Sequence, residues 1–500
     1  MKRKKVQFPS ALTILLIIAA LVAVMTYFVP GGKFDTIAYD KENNEFVVVS
    51  LEQTKSLPAS QEVLDSLNIK IPLEKFTKGS ISKPMGIPDT YQRVEQNPQG
   101  LFAFLKSPIR GMMDSIDVIL FILIIGGFIG ITHFTGAFDV GIAWLAVLLK
   151  GRENLLIVLV TSLIALGGTT FGLAEETMAF YPILVPVFLV AGYDVMVALA
   201  CIFLGSSIGT MVSTVNPFST IIASDAAGIS WTDGLTGRLI MLVLGTVVCI
   251  WYIIVYANKV KKDPDKSLLK EERSRIEAFF LSEKAENKVK YTPRILVILV
   301  VFSLCFVVMV LGVSLFHWWF MEMTLVFLFG AILIGIIAKI KENQFVEVFI
   351  KGAGDLLGVA FIVGLARGVS VLMGDGMVGD TIVYHANQFT SGMDKGIFLN
   401  MLTLVYAGLS FFIPSSSGMA VLTMPIMAPL ADGLGLTRAL VVDAYQYGQG
   451  LFAFINPTSL IMASLAMVKV GYDKWLKFSL PLVGILYLMV VIYMTLMAYL

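Results

Sequence analysis

Apolar runs of about twenty residues follow one another from residue 11 to residue 499. At 1.5 Å per residue, ~20 helical residues cross the ~30 Å hydrocarbon core of a bilayer. The pattern predicts a first helix over roughly 11–29, then apolar segments near 115–134, 155–190, 194–224, 233–257, 294–315, 320–340, 353–373, 396–431, 438–467 and 475–499. The first run follows "MKRKK", but its apolar part is too long for a signal peptide and no small-x-small cleavage site follows, so it reads as a retained helix. Between the first two runs lies a polar stretch, 31–110, with strand-like pieces such as "NEFVVVS", which predicts an extramembrane excursion. A charged stretch, 258–293, reads as a cytoplasmic linker between two modules.

Two segments, 155–190 and 396–431, are too long for one crossing, and each is interrupted by polar, glycine-bearing residues. Backbone that leaves the helix inside a bilayer must be buried in protein or line a water-filled cavity, because each unsatisfied amide costs several kcal/mol. Both therefore predict re-entrant hairpins, with tips at "GGTTFGLAEET" (167–177) and "PSSSG" (414–418). With the N-terminus cytoplasmic, the linker, "KGR" at 150–152, Lys339, Lys341, Lys351, Lys469, Lys474 and Lys477 fall inside. The short outer loops carry only Arg238, Lys395 and Arg438. The C-terminus then lies outside.

Repetition is legible across the linker. Gly126, Gly130, Gly136 and Gly141 match Gly364, Gly368, Gly374 and Gly379 at an offset of 238. Pro182, Pro186 and Gly192 match Pro425, Pro429 and Gly435 at 243, and Asn216-Pro217 matches Asn456-Pro457 at 240. An additional span over 294–319 makes the second copy, 320–500, enter from the side opposite to the first, 111–257. The expected fold is an all-α polytopic membrane protein with two inverted repeats, about nine full spans and two re-entrant hairpins. Composition agrees: 57% hydrophobic residues, 15% charged and a mean hydropathy of +0.82 exclude a water-soluble domain. Cys201, Cys249 and Cys305 lie in apolar segments and are odd in number, which suits packing rather than a disulfide framework or a metal site.

"FGLAEETMAFYPILVP", "NPF", "GLARG", "SSSGMAVLTMPIMAPLAD" and "NPTS" stand in the order that resembles the YfcC-type branch of the anaerobic four-carbon dicarboxylate carrier family, within the ion transporter superfamily. The resemblance covers nearly the whole chain. It implies an elevator-type carrier in the bacterial inner membrane with a scaffold and a transport domain, usually a homodimer. Members are linked to basic amino acids, as arginine/ornithine exchangers, and to dicarboxylates, so the resemblance leaves the substrate open.

Ionisable residues within spans are costly and are functional candidates by default. Arg367 in "GLARG" is the one arginine or lysine that this topology places inside a span; it suits a substrate carboxylate or a structural partner. Glu175 and Glu176 at the first tip favour a cation or take up a coupling proton, unless they line a solvated mouth. Thr169 and Thr170 join them there, and Ser415, Ser416, Ser417 and Gly418 occupy the second tip. Asp443, Tyr447 and Gly450 recur at helical spacing, with Asp443 a further coupling candidate. Gln446, Gln449, Ser213, Thr214, Asn216, Asn456 and Thr458 supply neutral ligands for a zwitterion or, near Asn216 and Asn456, for a desolvated sodium ion. An acidic tip with one buried arginine favours a basic amino acid over a dicarboxylate. No organic cofactor or nucleic-acid partner is expected; sodium or proton coupling is. His133, His317 and His385 are scattered, with no H-E-x-x-H motif or nucleophile elbow to suggest an intramembrane enzyme. A channel needs no pair of hairpins, and no ring-forming filter sequence occurs.

Overall fold

The computed structural model describes residues 9–51, 53–69, 71–77, 81, 84–137, 140–141, 152–281, 292–316, 318–390, 392–413 and 415–500. The basic N-terminal run, Lys150 and Gly151, part of the linker, His317 and Pro414 lie outside them. Helix α1 (Ala11–Met25) starts at Ser10, whose hydroxyl accepts from the Thr13 N–H and so satisfies one free donor of the first turn. After it, the chain folds into a small domain that corrects the all-α expectation. Strands β2 (Thr36–Asp40), β3 (Glu45–Val49), β4 (Thr54–Pro58) and β5 (Met85–Gly86) form an antiparallel sheet in the order β4-β3-β2-β5, and β1 (Gly32–Lys33) pairs with β6 (Gln92–Arg93). Asn44, at φ 52°, turns β2 into β3, and helices α2 (Gln61–Ser66) and α3 (Leu73–Thr77) close Leu64 and Phe76 over Ile37 and Phe46.

Helices α4 (Leu101–Asp114) and α5 (Ile116–Phe134) meet at Ser115; α4 thus begins inside the stretch expected to be excursion. Next come α6 (Glu153–Phe171), a 3₁₀ segment (Glu175–Phe180), α7 (Tyr181–Val190), α8 (Val195–Met211), a π turn (Pro217–Ile221), α9 (Ile222–Ala226) and α10 (Leu235–Lys262). The linker carries α11 (Arg273–Phe280), and α12 (Pro293–Phe316) follows it. The second half comprises α13 (Phe320–Ala338), α14 (Glu342–Asp355), α15 (Leu357–Asp375), α16 (Gly379–Thr390), α17 (Lys395–Phe412), α18 (Ser416–Gly433), α19 (Arg438–Ala453), α20 (Ile461–Met467) and α21 (Tyr472–Tyr499). Among the described residues, eight helices are long and apolar enough to cross a membrane, and α1 and α8 are shorter apolar helices.

Among the described elements, a similar order is met in both halves, with α16 standing in the second half between α15 and α17. Kinked pairs (α4–α5, α14–α15) precede helix–break–helix pairs (α6–α7, α17–α18), then helices broken at Asn-Pro (α8–α9, α19–α20), then closing helices of 28 residues each (α10, α21). Packing crosses between halves: α1 and α4 lie on α15, and α13 and α14 lie on α5. Glycines set two of these crossings. A Cβ added at Gly111 would fall 2.1 Å from the Gly364 carbonyl oxygen, and one at Gly352 would fall 2.4 Å from that of Gly126. Close backbone approach of this kind is what small residues provide between helices in a membrane. One core joins the broken helices with α10 and α21, while separate clusters join α5 to α12 and α13, and α1 to α15.

Arg238 departs from its expected place in an outer loop. Gly234, at φ 80°, starts α10 ahead of it, so the guanidinium is carried into the core, where Nε donates to Asp443 Oδ1 at 2.6 Å with both side chains fully buried. Arg367 on α15 is therefore not the one cationic side chain inside a helical span.

Candidate functional site

The helix breaks converge on a cavity of ≈ 480 Å³. That volume falls in the range of sites that enclose small molecules. Each break is held by its own local chemistry. Helix α6 ends at Gly172, in the left-handed region at φ +77°, where an added Cβ would meet Asn216 Oδ1 at 2.8 Å. The chain then folds back, and Glu176 Oε2 accepts from the Ala174 N–H at 3.0 Å. Asn216 Oδ1 accepts from the Phe218 N–H at 2.8 Å and Asn456 Oδ1 from the Thr458 N–H at 3.0 Å. These are matching side-chain turns that satisfy backbone freed by each Asn-Pro break. Asn456 Nδ2 also donates to the Ser410 carbonyl at 3.1 Å. At the second tip Ser415 caps α18 by accepting from the Gly418 N–H at 3.2 Å, and Gln449 donates to the Ser416 hydroxyl.

Of the residues singled out in the sequence, the cavity brings together Glu175 and Glu176 from the first break, Asn216, Asn456 and Thr458 from the Asn-Pro breaks, Ser415, Ser416 and Ser417 from the second tip, Gln446 and Gln449 from α19, and Arg367 from α15. The others do not line it. Thr169 Oγ1 donates to the Val212 carbonyl at 2.9 Å and accepts from the Thr214 N–H at 3.0 Å, so Thr169 and Thr214 knit α6 to the α8 break. Ser213 accepts from Gln446 Nε2 at 3.1 Å, Thr170 donates to the Leu166 carbonyl at 2.6 Å, and Gly418 sits within the cap it donates to. Asp443 is bound to Arg238, with Tyr493 donating to its second oxygen at 3.3 Å.

The cavity also holds residues that the sequence reading passed over. Asp114, Ser115 and Asp117 come from the α4–α5 joint, Ser206, Ser207 and Thr210 from α8, Ser370 from α15, and Trp319 from the start of α13. A signal existed in part: Asp114 and Asp117 are three apart at the foot of an apolar run, and Ser206 and Thr210 share a helical face. Phe218, two residues after Asn216, packs its ring 5.3 Å from that of Trp319. Four carboxylates, those of Asp114, Asp117, Glu175 and Glu176, thus line one space with a single guanidinium. Asp117 and Arg367 both act on Glu175 through their charges, and among the described residues Arg367 forms no ion pair. Among the described residues, the side-chain oxygens of Gln446 and Gln449 are buried without a hydrogen-bond donor. Among the described residues, no three metal-ligating His, Cys, Asp or Glu side chains are grouped.

A family model for the C4-dicarboxylate anaerobic carriers, DcuC, matches residues 8–499. The chain belongs to the DcuC family. It is accordingly a multi-pass membrane transporter and not an enzyme. This DcuC-family chain is 42% identical over 489 residues to an uncharacterized protein of Haemophilus influenzae, covering 97% of this chain and 96% of that one. It is 31% identical over 507 residues to YfcC of Escherichia coli K12, covering 96% and 94%; the name of that protein provisionally assigns it as a basic amino acid antiporter. Among solved structures, the YdaH transporter of Alcanivorax borkumensis aligns at 12% identity and a TM-score of 0.38 over 98% of both chains. MtrF of Neisseria gonorrhoeae, described with a class of antimetabolite efflux pumps, aligns at 14% and 0.39 over 98% of this chain and 95% of that one. Likeness at this distance says nothing about the DcuC-family cavity.

Proposed function

We propose that this DcuC-family transporter carries amino acids with cationic side chains across the bacterial inner membrane, by exchange or by ion-coupled uptake. The observation that carries the reading is the charge of the cavity: four carboxylates and one guanidinium, that of Arg367, line it, and Arg367 acts on Glu175 through its charge. Arg367 offers two parallel N–H donors to an α-carboxylate, while Glu175, Glu176 and Asp117 attract a cationic side chain and an amino group. A four-carbon dianion would enter the same space with one positive charge to meet it and four negative ones to oppose it. The provisional name of YfcC agrees with this assignment. The family description supports a second reading, a small dicarboxylate held at Arg367 with the acids protonated.

Alternating access supplies the mechanism. Helix α12, set between two halves with a similar element order, gives the second half the opposite orientation, so that the pairs α6–α7 and α17–α18 enter as re-entrant hairpins from opposite faces. The broken helices with α10 and α21 form a moving body that slides as an elevator against a fixed body of α1, α4, α5 and α12–α15. The fixed body dimerises with that of a second copy. Asn216 and Asn456, with the backbone they release, offer a sodium site, and Glu175 with Glu176 offers a proton site.

Counterflow in proteoliposomes tests the reading. Labelled arginine or lysine enters vesicles preloaded with unlabelled basic amino acid, and imposed sodium and pH gradients identify the coupling ion. The double variant Glu175→Gln/Glu176→Gln weakens basic substrates by about five- to 150-fold, the worth of a charge-assisted hydrogen bond, and neutral amino acids far less. Succinate counterflow without arginine counterflow overturns the assignment in favour of the dicarboxylate.

A further inference from the structure

The β-containing domain between α1 and α4 has no counterpart in the second half, where only residues 339–341 separate α13 from α14. It grips both bodies of the carrier. On the fixed side, Gln96 Nε2 donates to the Thr26 carbonyl at 3.0 Å, the Gln99 N–H to Thr26 Oγ1 at 2.8 Å, and Asn97 Nδ2 to the Asp375 carbonyl at the end of α15 at 2.9 Å. On the other side it reaches the hairpin body. Val421 of α18 is part of the domain's own core with Ile37, Phe46 and Phe76, and Ile222 of α9 packs against that cluster. Lys75 of α3 places Nζ 2.7 Å from Oδ1 of Asp225 in α9, a carboxylate that is 1% exposed.

Asp225 is where the two halves differ. The stretch "NPFSTIIASD" aligns with "NPTSLIMASL" at the offset of 240, which sets Asp225 against Leu465, an ordinary core residue that is 2% exposed. A carboxylate therefore replaces an apolar side chain at a position that meets the extra domain, beside the apolar contacts of Val421 and Ile222. Among the described residues no other cation reaches it and neither carboxylate oxygen receives a hydrogen bond, so the pair is joined by charge alone. Departure of the domain would leave a buried charge unpaired, which is strongly unfavourable.

We infer that the β-containing domain, through its described residues, forms a strap, anchored on the fixed body and clasping the hairpin body through Lys75–Asp225 and the Val421 contact, which must open for the carrier to change access. The inference rests on the reading that these two bodies move against each other. Both surfaces of the clasp are built by this chain, and the pair is reached from the side of the membrane on which the domain lies.

The test locks and loosens the clasp in a chain whose native Cys201, Cys249 and Cys305 are replaced by alanine. A Cβ at Gly86 would lie 3.7 Å from the Leu422 side chain, so Gly86→Cys with Leu422→Cys permits a disulfide or a short thiol cross-link. Cross-linking lowers counterflow at least about tenfold, and reduction restores it. In parallel, spin labels at Lys339→Cys on the fixed body and Lys477→Cys on the moving one report the distance between bodies without reference to any substrate. Asp225→Leu, which installs the residue found in the other half, raises the population of the second distance about tenfold, as removal of a charge-assisted contact does. Two distances with full counterflow in the cross-linked protein overturn the strap alone. A single distance under every condition overturns the strap together with the moving-body reading, and leaves the substrate assignment to be judged by counterflow.

Discussion

The two helix–break–helix pairs are built alike and finished differently. The arms before the break are α-helices of 19 and 18 residues, and the arms after it carry their prolines in step, Pro182 and Pro186 against Pro425 and Pro429. At the turn itself the first pair passes through a 3₁₀ segment that bears Glu175 and Glu176 and is tied by a carboxylate folded onto the Ala174 N–H. The second enters an α-helix directly, capped by the Ser415 hydroxyl. The shared parts, above all Asn216 and Asn456, satisfy backbone that the breaks set free. The unshared parts carry charge. Symmetry in this molecule marks the frame, and its violations mark the chemistry.

The same contrast appears deeper in the core and yields the largest expected effect. Arg238 and Asp443 join α10 to α19; at the related crossing of α21 with α8 stand Trp475 and Phe203, edge to face with ring centroids 5.4 Å apart. Arg238→Met alone strands a buried carboxylate and costs about 3–5 kcal/mol, whereas Arg238→Met with Asp443→Leu recovers most of that loss, because apolar replacement of a buried pair is often neutral. Thermal unfolding in detergent reads both, and counterflow by the double variant decides whether Asp443 serves coupling: retained gradient response makes it a structural residue.

A smaller effect tests the shared frame. Asn216→Ala and Asn456→Ala each leave a backbone N–H without its acceptor, a penalty of about 1–3 kcal/mol placed directly at the cavity wall. Both are expected to abolish uptake while preserving membrane expression, and to do so alike. Loss in only one of them would show that the matching turns have unequal duties. Ser415→Ala is the mildest change. It removes a helix cap worth about 1 kcal/mol, and its expected signature is a modest fall in melting temperature with a small rise in KM, since the first tip keeps its own carboxylate tie.

Much of this arrangement was legible in the chain because its signals are local. Apolar run length, the Asn-Pro pairs and the glycine-bearing interruptions announce spans and breaks wherever they occur, and the repeat offsets tie them together. What escaped depends on distance. Arg238 and Asp443 are 205 residues apart, and nothing near Arg238 announces a partner. Asp114 and Asp117 sit where two helices join without an interruption, so no break drew attention to them. Thr169 and Thr214 are polar groups at breaks, yet their bonds are spent on the Val212 carbonyl and on each other's backbone. A hydroxyl beside a helix end can both donate to a carbonyl and accept from an N–H, whereas an ionised carboxylate can only accept. The sheet of the excursion was visible only at "NEFVVVS"; its partner β4 carries the polar, Pro-ended "TKSLP", and β5 at the sheet's edge is two residues long.

The crossed packing of the halves has a consequence in time. Helix α1 finds its neighbour in α15, about 350 residues later in the chain. At roughly 5–20 residues per second of synthesis, α1 waits on the order of 20–70 s in the lipid before the surface it fits exists. Throughout that interval its inner face is covered only by lipid, by the domain that follows it and by α4. Biogenesis therefore passes through a long-lived half-built stage, in which early helices have to be retained near the insertion site until the last third of the protein arrives to receive them.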